Sequence, residues 1–423
     1  MSIPARVQRY MAAVDFQSLD YIYNKLRCDS ELPADVAVHE IVMAYIQTLY
    51  GFEIRAGIGG TGVIGVLRNS SGPTVLLRAE MYSIQESPYG GTGMKSDLEA
   101  QIERDVMHTS CINMSCMLIA AACLCRMKSF WQGTLVLLFQ PNGGRGSGAS
   151  AMIRDGLYDP RRYACPIPDV VLGQHCLPFE AGKVGTRKGI AGPAVDSYRV
   201  TVYGKGGHAS QPHMAIDPVP MAAKIIIRLQ EIPSRELDSQ DAAVVTAGVV
   251  AGTTEDIIAD EAVLKLDIRY FNTESRQKVF NLIQTIVQEV CNDSNATKEP
   301  LFEITRSLPF LINDVTITQQ LSDCFDTLFG EDHVRDCALW GGSEDFNMLA
   351  MEAPNKRGGK GVPSCFWLLG SANAAFVRRA KEQGELEHIP IHHDPLCPPV
   401  KQPTIKTGVE ALVAAALRFL STR

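Results

Sequence analysis

The chain has 423 residues, of which 46% are hydrophobic and 21% are charged, enough to form a large core and two or three domains. Its formal net charge is -7, and no basic block interrupts the mixed charge pattern, so nucleic acid is not an expected partner. We expect a globular protein whose partner is a small molecule.

The N-terminal residues and the cysteines indicate the cellular compartment in which the protein is expected. The N-terminal residues lack the apolar core of a signal peptide, and the apolar run at residues 116–125 is too short to cross a bilayer. The 12 cysteines show no paired C-x-x-C spacing, so most are expected to be buried as small apolar side chains under reducing conditions. These features predict a cytoplasmic protein without a membrane partner.

Short apolar runs alternate with helical stretches along most of the chain. Residues 74–79, 134–139 and 169–173 are largely apolar segments bounded by Gly or Pro, as expected for central strands covered on both faces. Residues 115–127 and 408–420 have a helical composition. The pattern predicts an α/β fold in which helices sandwich a central mixed sheet.

A different pattern begins near residue 193. Residues 196–203, 242–250 and 262–271 are predicted strands, and residues 217–232 and 273–290 are predicted helices. The order β-α-β-β-α favours a small α+β domain with its helices on one face of the sheet. We expect residues 1–191 and 307–423 to form the main domain, and residues 192–306 to form an inserted domain.

A series of short motifs occurs in order along the chain. They are L-L-R-A-E-M at 76–81, V-M-H-T-S-C-I-N-M at 106–114, F-Q-P-N-G-G at 139–144, G-Q-H at 173–175, G-K-G-G-H-A at 204–209, S-E-D-F at 343–346 and H-D-P at 393–395. The series resembles the binuclear metallo-amidohydrolase and carboxypeptidase family, which includes hippurate hydrolase, auxin-conjugate hydrolases and aminoacylase-like peptidases. The resemblance implies a zinc-exopeptidase-like fold and a homodimer, with the inserted segment as a lid and dimerisation domain.

The resemblance also implies a two-cation site, and this chain departs from it. The five ligand positions of the family correspond here to Ser110, Ile112, Gly144, His175 and His393, and the general base corresponds to Gly143. Isoleucine and glycine side chains offer no ligand atom, serine is a poor ligand, and each cation needs about three or four protein ligands. We therefore expect a degenerate metal site and no cofactor.

Other polar positions of the family's site are retained. By resemblance, His208 presents its imidazole to a substrate carbonyl, and Arg269 is a candidate for binding a substrate carboxylate. Glu344 and Asp345 are either an acid pair of the site or an ordinary pair at a helix N-terminus. Cys111 is either a displaced thiolate ligand or a buried thiol.

The loop that starts at Asn142 is either a set of N–H donors for an anionic substrate group or a plain flexible loop.

Three functions remain open. The first is a repurposed enzyme that performs metal-free condensation, cyclisation, isomerisation or elimination on a small amino- or carboxyl-bearing metabolite, with His208, His175, Glu344 and His393 as proton-transfer groups. The second is a non-catalytic relative that binds a ligand or an active paralogue. The third is a residual metal-dependent hydrolase of N-acyl amino acids. The first is favoured, because losing the groups that generate the nucleophile disfavours hydrolysis while the polar site is kept.

Overall fold

The structure is a computed structural model, and it describes residues 2–12, 16–26, 34–81, 97–141, 146–237, 243–251, 255–385 and 399–422. Its α-helices are α1 (Ile3–Met11), α2 (Phe16–Leu26), α3 (Ala34–Thr48), α4 (Asp97–Arg126), α5 (Gly148–Arg154), α6 (Pro218–Glu231), α7 (Thr273–Asp293), α8 (Val315–Phe329), α9 (Phe346–Met351), α10 (Ala374–Gln383) and α11 (Thr404–Phe419).

The strands follow the same chain order. They are β1 (Phe52–Ile58), β2 (Gly62–Arg68), β3 (Thr74–Glu80), β4 (Trp131–Gln132), β5 (Thr134–Gln140), β6 (Val170–Glu180), β7 (Val184–Thr186), β8 (Gly189–Gly192), β9 (Ala194–Tyr203), β10 (Gly207–His208), β11 (Ala243–Ala251), β12 (Ile257–Ile258), β13 (Glu261–Tyr270), β14 (Leu301–Leu308), β15 (Leu311–Asn313), β16 (His333–Arg335), β17 (Ser364–Ala372) and β18 (Ser421–Thr422).

The chain divides into two compact units. The main unit comprises Met1–Ala191, Ile312–Ala338 and Asp345–Arg423, and the second unit comprises Gly192–Leu311 and Leu339–Glu344. The second unit extends beyond residue 306, the predicted end of the inserted domain, because β14 runs on to Leu308 beside β9. The sequence pattern missed β14 because most of its residues are exposed, so it shows no apolar alternation.

The main unit is built on a mixed sheet with the strand order β1-β2-β5-β3-β6-β17-β7-β16. Strand β3 runs parallel to both β5 and β6, and β17 runs parallel to β6. Strands β1 and β2 pair antiparallel at one side of the sheet. The prediction of an α/β fold with a central mixed sheet is confirmed.

Helices cover both faces of this sheet. Successive residues of a strand point to opposite faces of the sheet, and two successive residues of β6 approach a different helix on each face. A Cβ at Gly173 would lie 2.8 Å from the ring of Phe346 in α9, whereas the next side chain, Gln174, reaches Gly408 in α11. Helix α11 also packs along α4. Strands β3 and β5 are therefore buried on both faces, which explains their continuous apolar sequence.

Helix α4 is the central helix of the main unit. Its stretch Thr109–Arg126 is long and apolar enough to cross a membrane, and it is longer than the apolar run at residues 116–125 that is evident in the sequence. However, 83% of this stretch is buried inside the protein. Burial against the sheet and α11 accounts for this apolar composition without a lipid environment.

The second unit contains an antiparallel sheet with the order β11-β13-β9-β14. Along β13, buried residues alternate with half-exposed ones, so one face of the sheet is covered and the other is open. Helices α6 and α7 pack against each other and against β13. Helix α6 begins where Asp217 accepts a hydrogen bond from the N–H of Val219, consistent with the Asp-Pro start predicted from the sequence.

Candidate functional site

Three neighbouring parallel strands bring polar side chains to one edge of the main sheet. Arg78 and Glu80 lie at the end of β3, Gln140 ends β5, and His175 lies in the second half of β6. Glu80 is the register partner of Gln140, and Arg78 is the partner of Gly173. Because the strands are parallel, their carboxyl ends meet at the same edge, where open α/β sheets carry their ligands.

A buried hydrogen-bond network fixes this edge. The Nε of Arg78 donates to Oε1 of Gln140 at 2.9 Å, and Nε2 of Gln140 donates to Oδ1 of Asp345 at 2.7 Å. The N–H of Ala149 donates to the other oxygen of Asp345 at 2.9 Å. Arg78, Gln140 and Asp345 are each at most 1% exposed, so the network is screened from water.

Glu80 links this network to His175. Its Oε2 lies 3.7 Å from a terminal nitrogen of Arg78 and 3.9 Å from Nδ1 of His175. Burial raises the pKa of Glu80, because desolvation penalises the charged carboxylate; Arg78 lowers the pKa and Asp345 raises it further. Glu80 therefore holds its proton to a higher pH than an exposed glutamate does.

Asp345 and Glu344 come from the S-E-D-F motif. Asp345 precedes α9, and both of its carboxylate oxygens accept hydrogen bonds. These two hydrogen bonds hold Gln140 and the backbone of Ala149 in place beside Asp345. Glu344 is the residue before it and is also buried.

Two positions that correspond, by the resemblance, to metal ligands of the family lie in α4. They are Ser110 and Ile112, which are both buried, with Ile112 packed in the hydrophobic core. Isoleucine offers no ligand atom, and serine is a poor ligand. Cys111 is also fully buried in α4, among apolar side chains.

Three predicted site residues, Asn142, Gly144 and His393, lie outside the described residues, and so does Gly143. Their proposed roles stay predictions.

Two further predicted residues lie in the second unit. His208 is exposed in β10, next to the turn that contains Ser210. Arg269 lies in β13, where its Nε donates to Oδ1 of Asp267 at 3.1 Å and a terminal nitrogen donates to the carbonyl of Gly341. A substrate carboxylate would therefore compete with Asp267 for this guanidinium.

Sequence reasoning missed Arg78, Glu80 and Gln140 as site residues. All three lie at or near the ends of apolar strands of the kind found in parallel sheets. A charged or polar residue in such an apolar run is unexpected unless it has a buried partner. That signal was present in the sequence. Their partners, however, could not be identified from it, because they are distant along the chain.

Comparisons with known proteins agree with this fold. Residues 188–295 match the family model described as the peptidase dimerisation domain. The chain is 32% identical over 289 residues to hippurate hydrolase of Campylobacter jejuni, across 67% of this chain and 71% of the relative. It is 28% identical over 379 residues to thermostable carboxypeptidase 2 of Saccharolobus solfataricus, across 87% of both chains.

A solved structure shows the same fold. The Bacillus subtilis YXEP protein, a dinuclear metal-binding peptidase of the M20 family, superposes with a TM-score of 0.67 at 20% identity, across 98% of this chain and 100% of that one. Together with the match to hippurate hydrolase, the mixed sheet and the ordered motifs lead to one assignment. This chain belongs to the M20 family of amidohydrolases and peptidases, whose members are hydrolytic enzymes.

Proposed function

We propose that this family member is an enzyme that performs metal-free acid/base chemistry on a small amino- or carboxyl-bearing metabolite. The observation that carries the proposal is the contact of Glu80 with His175, 3.9 Å apart at the carboxyl edge of the main sheet. Two positions that correspond by resemblance to metal ligands of the family are Ser110 and Ile112 in this chain, which would leave a two-cation cluster short of donors.

The pair supplies the two proton transfers that such reactions need. The neutral imidazole of His175 can take a proton from a substrate N–H, O–H or acidified C–H, and the carboxyl of Glu80 can give a proton to the oxygen or nitrogen on which negative charge develops. An isomerisation combines this exchange with a bond change within one substrate, whereas condensation, elimination and cyclisation with loss of a group also expel a leaving group, which the acid protonates. None of them needs water activated by two cations.

The surrounding network supports this role by holding Glu80 in place. Arg78 contacts both Glu80 and Asp345, and Gln140 joins Arg78 to Asp345 through both ends of its amide. The carboxyl groups of Glu80 and Asp345 both lie beside the single guanidinium of Arg78, and this arrangement favours a proton on one of the two carboxyl groups. Arg78, Gln140 and Asp345 thus act as positioning residues.

A second candidate is hydrolysis of an N-acyl amino acid with a single cation. It is favoured by the similarity to hippurate hydrolase and by the ligand atoms of Glu80 and His175, which lie 3.9 Å apart. A divalent cation bound there would polarise an amide carbonyl or lower the pKa of a bound water. In that case Glu80 would bind as a carboxylate and could not serve as the acid.

Metal analysis separates the two candidates. The protein is purified without added metal, its zinc, manganese and cobalt are measured by mass spectrometry, and a panel of N-acyl amino acids is tested for hydrolysis with and without EDTA. We expect substoichiometric metal and no EDTA-sensitive hydrolysis. Stoichiometric metal that is lost in Glu80→Gln and His175→Ala, together with chelator-sensitive amide hydrolysis, would establish the second candidate instead.

A further inference from the structure

The loop that carries His208 has a defined conformation within the second unit. Lys205 and Ile216 exchange two backbone hydrogen bonds at 2.8 and 2.9 Å, and the N–H of Gly206 donates to Oδ1 of Asp260 at 2.8 Å. A Cβ at Gly204 would lie 2.1 Å from the carbonyl oxygen of Ile216, so only glycine fits there. His208 therefore follows a turn whose backbone conformation is fixed by these hydrogen bonds.

Strand pairing extends this turn to His208 itself. In the short antiparallel pair formed by β10 and β12, His208 is the register partner of Ile257, and the N–H of Ala209 donates to the carbonyl of Asp256 at 2.9 Å. The backbone on both sides of the imidazole is thus fixed, which leaves its orientation to side-chain contacts.

Ser210 makes the contacts that decide which ring nitrogen carries the proton. Its backbone N–H donates to Nδ1 of His208 at 3.2 Å, and its hydroxyl oxygen lies 2.9 Å from the same nitrogen. A backbone N–H can only donate, so Nδ1 must accept. The hydroxyl can rotate to donate to it as well. In the neutral ring, the proton is then on Nε2, the nitrogen on the far side of the imidazole.

We infer that Ser210 is a positioning residue that holds neutral His208 as the Nε2–H tautomer. In this state Nε2 offers a hydrogen bond to a carbonyl or carboxylate oxygen of the substrate, while Nδ1 is occupied and is not free to remove a proton. His208 is therefore a donor that stabilises negative charge on oxygen and is not a base that removes a proton. The role of His208 as a donor to the substrate rests on the proposed function, whereas the assignment of its tautomer does not.

The test reads the tautomer directly, without substrate. The full chain is labelled with nitrogen-15 at histidine only, and long-range proton–nitrogen correlation spectra are recorded at about pH 8, where an unperturbed imidazole is neutral. His208→Gln assigns the signals, and exposed His213, in the same loop region, is the internal reference. Wild type is compared with Ser210→Ala and with Ser210→Thr, which keeps the hydroxyl.

We expect His208 in the wild type to show protonated Nε2 and bare Nδ1, with a larger Nε2–H fraction than His213. Ser210→Ala keeps the backbone N–H but loses the hydroxyl, so it should move this fraction part of the way toward that of His213, and Ser210→Thr should restore it. A dominant Nδ1–H form in the wild type, or the same fraction for His208 in wild type and Ser210→Ala, would overturn the inference. Because no turnover is measured, failure here is distinct from failure of the proposed function.

Discussion

The carboxylate of Glu80 lies 3.9 Å from Nδ1 of His175, and the two residues stand on neighbouring parallel strands of the main sheet. Burial raises the pKa of Glu80, so its carboxyl holds a proton to a higher pH than an exposed glutamate does. Such a pair suits the exchange of protons with a bound metabolite.

Removing either member of this pair is expected to abolish catalysis without unfolding the protein. Glu80→Gln keeps the shape but removes the titrating carboxyl, and His175→Ala removes the imidazole. Each should reduce kcat/KM by about 100-fold or more, and the double variant should be little worse than the poorer single variant, because the two groups act together. The measurement is turnover of the metabolite found by a ligand screen, with a thermal melt as the control. Full activity in both single variants would contradict the proposal.

Arg78 should be essential for stability as well as for the site. Arg78→Met leaves two buried carboxyl groups, Glu80 and Asp345, without their cation, and breaking a buried pair in this way costs about 3–5 kcal/mol. Urea unfolding should show a loss of that order. Arg68→Met is the matched control: Arg68 pairs with Glu53 at the surface, where an ion pair contributes about 1 kcal/mol or less. Equal losses in the two variants would rule out the buried network as the cause.

A buried histidine far from the site should make stability depend on pH. His333 contacts Asp326 through Nδ1 at 2.5 Å and Thr186 through Nε2 at 2.9 Å. Burial lowers the pKa of His333, although Asp326 acts in the opposite direction. The native state therefore binds a proton less readily than the unfolded state, and the free energy of unfolding should fall as the pH drops below about 6.5.

Chemical denaturation between about pH 8 and pH 5 tests this dependence. His333→Gln should lose stability overall but show a shallower decline toward acid than the wild type does. His213→Gln, at an exposed position, is the control and should keep the wild-type slope. The same slope in the wild type and His333→Gln would refute the assignment to His333.

The second unit is expected to form a homodimer through the edge strand β11. Residues 188–295 match the dimerisation domain, and this range contains β11 but not β14, the strand at the other edge of the sheet. An open edge with exposed Val244 and Val249 can pair with a second copy. Sedimentation at micromolar concentration should show a dimer that Val249→Lys weakens. Ile304→Lys, at a more exposed apolar position on β14, should not weaken it; the reverse result would place the interface at β14.

The sequence by itself determined the family and the division into two separate sheets. Continuous apolar runs predicted β3 and β5 as strands covered on both faces, and the change of pattern near residue 193 predicted a second, smaller sheet. These signals are local, because the period of the apolar residues depends on only a few neighbouring residues. The departure of Ser110 and Ile112 from the motif that the chain resembles is visible in the sequence for the same reason.

Only the tertiary structure decided which polar groups work together. Gln140 joins Arg78 to Asp345, and Glu80 meets His175, through contacts between segments far apart in the chain. The raised pKa of Glu80 arises from burial, which no stretch of sequence shows alone. Strand order and register place these side chains at one edge of the sheet, and a sequence specifies that order only through the packing of the whole unit.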